Sequence, residues 1–129
     1  MNELEGFSTF ILAYGAPTIT YTKNGIGISK PVVQKLNCAA HVKILFDRQG
    51  KRMAIQVCGE NEAAKVDFCK DGKAEGLRWN SRDLTNTIRN LTGWDVENTS
   101  GYKVEGRFIE ASEDMGAAII FDFNDAKAV

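Results

Sequence analysis

The sequence contains few of the residues from which catalytic and metal sites are usually built. Among its 129 residues there are one histidine, His41, and three cysteines, Cys38, Cys58 and Cys69, without CxxC spacing. A single histidine excludes most histidine-based metal clusters, and no HExxH, GxSxG or Walker-type glycine loop is present. We therefore expect no catalytic residue, no metal and no cofactor, and we expect that the protein is not an enzyme.

Long apolar runs and paired cysteines are also lacking, which bears on location. An odd number of cysteines without metal-type spacing predicts buried, reduced thiols in a cytosolic protein. The longest apolar stretches, such as 117–121, are far shorter than the roughly 20 residues needed to cross a bilayer. Glu3 and Glu5 precede the apolar run 10–13, whereas a secretory signal begins with positive charge. We expect a cytoplasmic protein that does not contact membranes.

Charge is balanced over the whole chain but uneven along it. The formal net charge is −1, so there is no global attraction to nucleic acid or to anionic membranes. Residues 1–58 contain seven lysines and arginines against three acids, whereas residues 59–129 contain nine against fourteen. An anion-binding face is therefore expected in the first half of the chain.

Residues 17–58 predict two strands, a short helix and a further pair of strands. Alternating apolar and polar positions, together with turn signals, mark the strands. These strands are 17–23, 26–28, 41–47 and 53–57, with turns at Asn24-Gly25 and 48–51. Ser29 is a good N-cap for the helix, Pro31 suits its first turn, and the helix should end near Asn37.

Residues 64–124 predict the same order of elements. Short strands are expected at 66–68 and 77–79, on either side of a turn at Asp71-Gly72. A helix capped by Asn80 or Ser81 follows and ends at Gly93. A hairpin of strands 102–108 and 117–123, around the loop 110–116, completes the unit. We therefore predict an α+β fold in which two pseudo-symmetric ββαββ units, 17–58 and 64–124, form one small antiparallel β-rich domain spanning 1–129. The alternative is an ordinary α+β domain in which this order arises by chance.

Four segments of the first unit carry a likeness to a known family. They are the run Gly25–Pro31 (GIGISKP), Leu36-Asn37, Val42–Ile44 and Met53–Ile55. In this order and spacing they resemble the AbrB/MazE/SpoVT family of swapped-hairpin DNA-binding proteins. Ser29 stands where that family often has proline, and Asn37 where it usually has glycine. Two units in one chain resemble the two-copy arrangement of the MraZ branch, which implies an intramolecular pseudo-dimer.

The resemblance implies a DNA-binding transcriptional regulator that lays a small sheet and basic side chains against the duplex. Lysine and arginine would neutralise phosphates there. The candidate DNA-binding residues are Lys23, Lys30, Lys35, Arg48, Lys51 and Arg52. The alternative for these cations is an ordinary solvated surface. In the second unit only Arg78, Arg82 and Arg89 could serve, and acids surround them in the sequence.

The second half also suggests protein contacts. Strand 117–123 is apolar on both faces, which is typical of a strand that is buried on both sides or pairs with another chain. From this strand we predict a homodimer formed mainly through the second unit. Separately, we expect no small-molecule substrate. The alternative function is a small protein-binding or inhibitory module of the phage or mobile-element type, without DNA binding. The acidic second half favours that alternative.

Overall fold

Strands from both halves of the chain join in one antiparallel sheet. The computed structural model describes residues 3, 5–8, 15–70, 72–94 and 100–129. The strands are β1 (Thr18–Thr22), β2 (Gly25–Ile28), β3 (His41–Asp47), β4 (Arg52–Val57), β5 (Val66–Asp67), β6 (Leu77–Trp79), β7 (Tyr102–Ile109), β8 (Ala118–Asp122) and β9 (Lys127–Ala128). The helices are α1 (Lys30–Lys35), α2 (Arg82–Thr92) and a single 3-10 turn, Phe123–Asp125.

The sheet is curled, and its strands lie in the order β5-β3-β4-β8-β7-β1-β2-β6, with β9 also paired to β7. Every pairing is antiparallel. The prediction of a small antiparallel α+β fold is confirmed at this level. Neither helix within the described ranges is long and apolar enough to cross a membrane.

The concave face of the sheet carries the core. Alternation along each strand turns one set of apolar side chains inward, and the two helices add buried residues to the same cluster. The fully buried members include Ile19, Tyr21, Ile26, Val32, Val33, Met53, Ile55, Ile88, Val104, Ile119 and Phe121. The opposite positions of each strand therefore form an outer face that remains in contact with solvent.

Strand β7 changes partners at its middle. Residues 102–105 pair with β1, and residues 106–109 pair with β8. Gly106 lies at this change, where a β-carbon would overlap Ile119 Cγ2 and lie 2.6 Å from Phe121 Cε1. The absence of a side chain at Gly106 thus lets two core residues of β8 pack directly against the backbone of β7.

The predicted helix signals hold with one difference. The Ser81 hydroxyl accepts a hydrogen bond from Leu84 N at 3.3 Å, and α2 ends at Gly93 with φ 72°. Ser29 is the N-cap residue of α1, but its hydroxyl accepts from Thr18 N at 2.9 Å instead of from the helix. Ser29 therefore ties the start of α1 to β1, which is a tertiary role that a capping pattern does not reveal.

The two short strands predicted at 66–68 and 77–79 do not pair with each other. Strands β5 and β6 are present, but β5 pairs with β3 and β6 pairs with β2. With only two and three residues, each extends an existing hairpin instead of forming a new one. Asp71, in the predicted turn, lies outside the described residues, as does the apolar run 10–13.

Strand β8 lies inside the sheet, hydrogen-bonded to β4 on one side and to β7 on the other. Of its apolar residues, Ile119 and Phe121 lie in the core and Ile120 is half-buried on the outer face. The open-edge argument for dimerisation through this strand is wrong. The homodimer itself stays a prediction.

The expectation of three reduced thiols is also wrong. Cys38 and Cys69 form a disulfide across a sequence separation of 31, with their Cα atoms 5.1 Å apart, and Cys58 is free. Backbone hydrogen bonds bring the two segments together, since Cys69 N donates to Ala39 O at 3.0 Å. The cysteine argument for a cytoplasmic location loses its basis, because disulfides persist mainly in oxidising compartments. The location stays a prediction.

Candidate nucleic-acid interface

The six cations predicted from the sequence lie in three separate places. Lys23 is in the two-residue turn between β1 and β2, because Thr22 pairs with Gly25. Lys30 and Lys35 are the first and last residues of α1. The remaining three, Arg48, Lys51 and Arg52, belong to the β3–β4 turn or follow it directly. The six residues therefore do not form one cluster.

Arg52 is engaged within the protein. Its Nη2 and Nε donate to Asp47 Oδ2 at 2.8 and 3.0 Å, while Gly50 N donates to Asp47 Oδ1 at 3.0 Å. The Gly50 N–H, followed by the Arg52 guanidinium, holds the pKa of Asp47 below its ordinary value of 3.8. The carboxylate is thus stabilised in its charged form and compensates the charge of Arg52. This arginine is a weak candidate for a phosphate contact.

The two α1 lysines also lie apart from Lys23. Lys23 and Lys30 are at opposite ends of the β1–β2 hairpin, since one lies in its turn and the other follows Ser29 at its base. Lys35 Nζ is 6.0 Å from the ring centre of Phe108. Phe108 lies six residues along β7 from Tyr102, which pairs with Tyr21 near the hairpin turn. At 3.4 Å per residue this is about 20 Å.

A row with three cations crosses the outer face of the same hairpin, and of these the sequence pointed to Arg78 but not to Lys103 or Lys127. The cross-strand registers align Arg78 with Gly27, Gly27 with Thr20, Thr20 with Lys103, and Lys103 with Lys127. We call these five residues the cation row. Their outward direction follows from alternation, because the intervening positions on each long strand are buried.

The cation row has two charged ends and a flat centre. Arg78, Lys103 and Lys127 are exposed, and the centre is formed by Gly27 and the half-buried Thr20. Neighbouring strands lie about 4.8 Å apart, so the four strand-to-strand steps of the row span about 19 Å. The ion pairs found among the described residues, His41–Asp67, Lys43–Glu62 and Arg52–Asp47, involve none of its cations.

Two acids lie next to the Lys103 end of the row. A shallow cavity of about 600 Å³ is lined there by cations and acids together, including Lys103, Arg107, Lys127, Glu105 and Asp125. Cations outnumber acids in this lining by three to two. This end of the row therefore has a net positive charge only when the row's own Lys103 and Lys127 are counted, because outside the row the lining holds one cation, Arg107, against two acids.

The β3–β4 turn is connected to the Lys127 end of the row. Phe123 N donates to Lys51 O at 3.0 Å, and Asn124 Nδ2 donates to Gly50 O at 3.1 Å. The 3-10 turn that makes these bonds leads directly into β9 and Lys127. Arg48 and Lys51, both exposed, are thus attached to the segment that carries one end of the row.

A second basic feature lies at the other end of the hairpin. An open cavity of about 450 Å³ is lined by Lys23, Gly25, Asn80, Arg82, Thr85, Asn86 and Arg89. We call it the hairpin–helix cavity. It lies where the β1–β2 turn meets the side of α2, and none of its lining residues is acidic. It brings Lys23, predicted from the sequence, together with two arginines that had been set aside.

Lys103 and Lys127 were not predicted, and Arg78 was set aside, because charge counted along the chain places all three among acids. Arg78, Lys103 and Lys127 all belong to the acidic half, yet strand pairing brings them to the first-half hairpin. Alternation at Lys103, Glu105 and Arg107 was a visible signal for one charged strand face. The register between strands, which assembles the row, was not visible.

Known proteins offer no guide to this surface. No family model, no curated protein and no solved structure matches the chain. Within the described residues there is no group of three or more histidine, cysteine or acidic side chains that could hold a metal ion. The function must therefore be argued from the cation row and the hairpin–helix cavity themselves.

Proposed function

We propose that this protein is a DNA-binding regulator that contacts duplex DNA with the outer face of the β1–β2 hairpin. One observation carries the proposal. The cation row places Arg78 on one side of the hairpin and Lys103 and Lys127 on the other, with only Thr20 and Gly27 between them. Lysine and arginine side chains that neutralise phosphates supply most of the affinity of such contacts.

The dimensions of the row support contact with several phosphates. Each strand of B-DNA carries one phosphate per 3.4 Å of axis, so three cations spread over about 19 Å can each reach a different phosphate. The flat centre lets the backbone of the nucleic acid approach the sheet closely. The Thr20 hydroxyl adds a neutral donor of the kind that commonly bonds phosphate oxygens.

The proposal uses part of the set predicted from the sequence. Lys23 extends the surface at the hairpin turn, and Arg48 and Lys51 extend it beyond Lys127 through the 3-10 turn. Lys30 and Lys35 lie elsewhere and Arg52 is bound to Asp47, so we leave these three out of the interface.

The same proposal includes two pseudo-symmetric ββαββ units of the swapped-hairpin type. The pairing pattern supports it, because exchanging β1–β4 with β5–β8 converts the β1–β7 pair into β5–β3 and the β3–β4 hairpin into β7–β8. The β2–β6 and β4–β8 pairs are converted into themselves. The β1–β2 pair breaks the pattern, since the described residues show no β5–β6 counterpart.

A protein-binding module is the second candidate, and one observation favours it. On the outer face of the other half of the sheet, Leu45, Ala54 and Ile120 align across β3, β4 and β8. Leu45 is 39% exposed, and a small apolar groove of about 140 Å³ runs beside these residues. Apolar surface of this kind is typical of protein contacts when it is large, but this groove is small.

A mobility-shift experiment with two variants of Gly27 tests the proposal. A β-carbon at Gly27 meets nothing closer than Thr20 O at 3.9 Å, so side chains are tolerated there. At about 50 mM salt the wild type should shift a diverse pool of duplexes and enrich preferred sequences. Gly27→Glu should weaken binding at least tenfold, because an acid in the centre of the row repels phosphate.

Gly27→Gln is the matched control and should bind within about threefold of the wild type, since it has nearly the same shape without the charge. Equal binding by the two variants would show that DNA does not cross the row. A complete absence of shifted DNA with the wild type would reject DNA binding in favour of the protein-binding module.

A further inference from the structure

We infer that the hairpin–helix cavity binds a phosphomonoester, either the 5′-phosphate end of a nucleic acid or a free nucleotide. This inference does not rest on duplex binding, because the cavity shares no residue with the cation row, although Lys23 lies both in the cavity and at the margin of the proposed duplex surface. It also departs from the expectation that the protein takes no small molecule.

The cavity is formed by the close approach of the hairpin turn to the segment before α2. Gly25 has φ 127°, and a β-carbon there would lie 2.6 Å from Trp79 O and 2.7 Å from Asn80 Oδ1. Only glycine permits both this conformation and this approach. The turn, including Lys23, is therefore fixed against the start of α2.

The helix side of the cavity is fixed by two further contacts. Tyr21, buried in the core, places its hydroxyl 3.4 Å from Thr85 O, and Ile88 on the same helix is fully buried. Arg82, Asn86 and Arg89 follow each other at helical spacing, so they share one face of α2. That face is presented to Lys23 across the cavity.

The lining chemistry selects an anion with more than one charge. Three residues are permanent cations, two are amides, and no carboxylate lines the cavity. A phosphomonoester carries a charge of about −1.5 to −2 at pH 7 and has three strong acceptor oxygens. The forked guanidinium of arginine binds two such oxygens at once. A phosphodiester carries only one charge, so three cations around one cavity match the higher charge of a phosphomonoester better.

The size of the cavity is consistent with a small ligand. Its volume of about 450 Å³ lies within the roughly 300–1,000 Å³ of ordinary small-molecule sites. The Asn80 and Asn86 amides offer both donors and acceptors beside the cations. They could therefore bond the sugar hydroxyls or the base edge of a nucleotide whose phosphate is held by Arg82 and Arg89.

Titration calorimetry with matched dinucleotides tests the inference. A dinucleotide with a 5′-phosphate should bind at least tenfold more tightly than the same dinucleotide with a 5′-hydroxyl. Arg82→Gln/Arg89→Gln should remove this difference, and both residues are exposed, so folding should be retained. Lys65→Gln/Lys70→Gln, which removes two exposed charges outside the cavity, should leave the difference unchanged.

Separate arms identify the source of the phosphate. Inorganic phosphate or adenosine 5′-monophosphate binding as tightly as the phosphorylated dinucleotide would indicate a free ligand, and weaker binding by both would indicate a nucleic-acid end. Affinity should fall as the pH drops from 8 to 5, because the second pKa of a phosphomonoester is about 6.

The inference is overturned if the two dinucleotides bind equally, or if the arginine variant keeps the difference between them. Duplexes with 5′-hydroxyl ends, measured in parallel, report on the cation row alone. If these duplexes do not bind although the 5′-phosphate effect is present, the proposed function is contradicted and this inference stands. If the duplexes bind but the 5′-phosphate has no effect, this inference is contradicted and the proposed function stands.

Discussion

The two halves of the outer sheet face differ sharply although both follow the same alternation. Across β6, β2, β1, β7 and β9 the row reads Arg78, Gly27, Thr20, Lys103 and Lys127. Across β3, β4, β8 and β7 the corresponding row reads Leu45, Ala54, Ile120 and Arg107. One half of this face thus offers cations around a flat polar centre, and the other offers apolar side chains with Arg107 at its end.

The difference shows that the surface chemistry of this sheet depends on the register between strands more than on the composition of any one segment. The apolar row comes from strands of both halves of the chain, and so does the cation row. Within the apolar half, Arg107 pairs with Ile120 and lines the cavity beside Lys103, whereas Arg52, which follows the β3–β4 turn, is compensated by Asp47. In the cation half the charged ends are free of ion pairs among the described residues, which is why we assign the nucleic-acid contact to that half.

The largest stability effect should come from removing the disulfide, because Cys69 lies in the segment that connects the two edge strands of the sheet, β5 and β6. The segment from β5 to β6 runs from the edge next to β3 to the edge next to β2, and Cys69 ties it to the end of α1. Cys38→Ala/Cys69→Ala should lower the free energy of unfolding by about 3–4 kcal/mol, as expected for a loop of this length. Urea denaturation measures it.

Cys58→Ala provides the control, since this cysteine is free. It should unfold near the wild-type midpoint and should remain sensitive to reductant. If a thiol reductant leaves the midpoint of the wild type unchanged, the two outer strands are not held together by this bond.

A smaller loss should follow from a change at the point where the two halves meet. Gly106→Ala places a methyl group against Ile119 and Phe121, which must shift. Overpacking of this kind costs about 1–3 kcal/mol. Gly27→Ala, in the centre of the cation row, meets only Thr20 O, at an ordinary contact distance of 3.9 Å, and should change stability by no more than about 0.5 kcal/mol. Thermal unfolding measures the stability of both variants. Equal stability of the two would show that β7 is not constrained where it changes partner.

The smallest effect should be the acid sensitivity of the apolar half. The pKa of Asp47 is lower in the folded protein than its ordinary value of 3.8. Its ionisation therefore stabilises the fold above that value, and the contribution is lost as the pH falls through the folded pKa. The wild type should melt slightly above Asp47→Asn at pH 7, and the difference should vanish in strong acid. A difference that persists unchanged at pH 2 would contradict the assignment.

Local signals predicted the elements well and their partners poorly. Strand β3, α2 with its Ser81 cap, and the Gly93 stop lie where alternation, capping and turn chemistry place them. These features depend on neighbours in sequence. The pairing of β6 with β2 and of β7 with β1 depends on contacts between distant segments, which periodicity does not encode. The assembly of the cation row required those pairings, whereas Lys23, Arg48 and Lys51 could be named from the sequence.

The central claim is tested most directly by the salt dependence of duplex binding in two charge-matched variants. Arg78→Gln/Lys103→Gln/Lys127→Gln removes the cation row, whereas Lys65→Gln/Lys70→Gln/Lys73→Gln removes three exposed lysines elsewhere. If each row cation neutralises one phosphate, the slope of log affinity against log salt should fall in magnitude by about 2.7 for the first variant and stay unchanged for the second. An equal fall in both, or none in the first, would contradict the account.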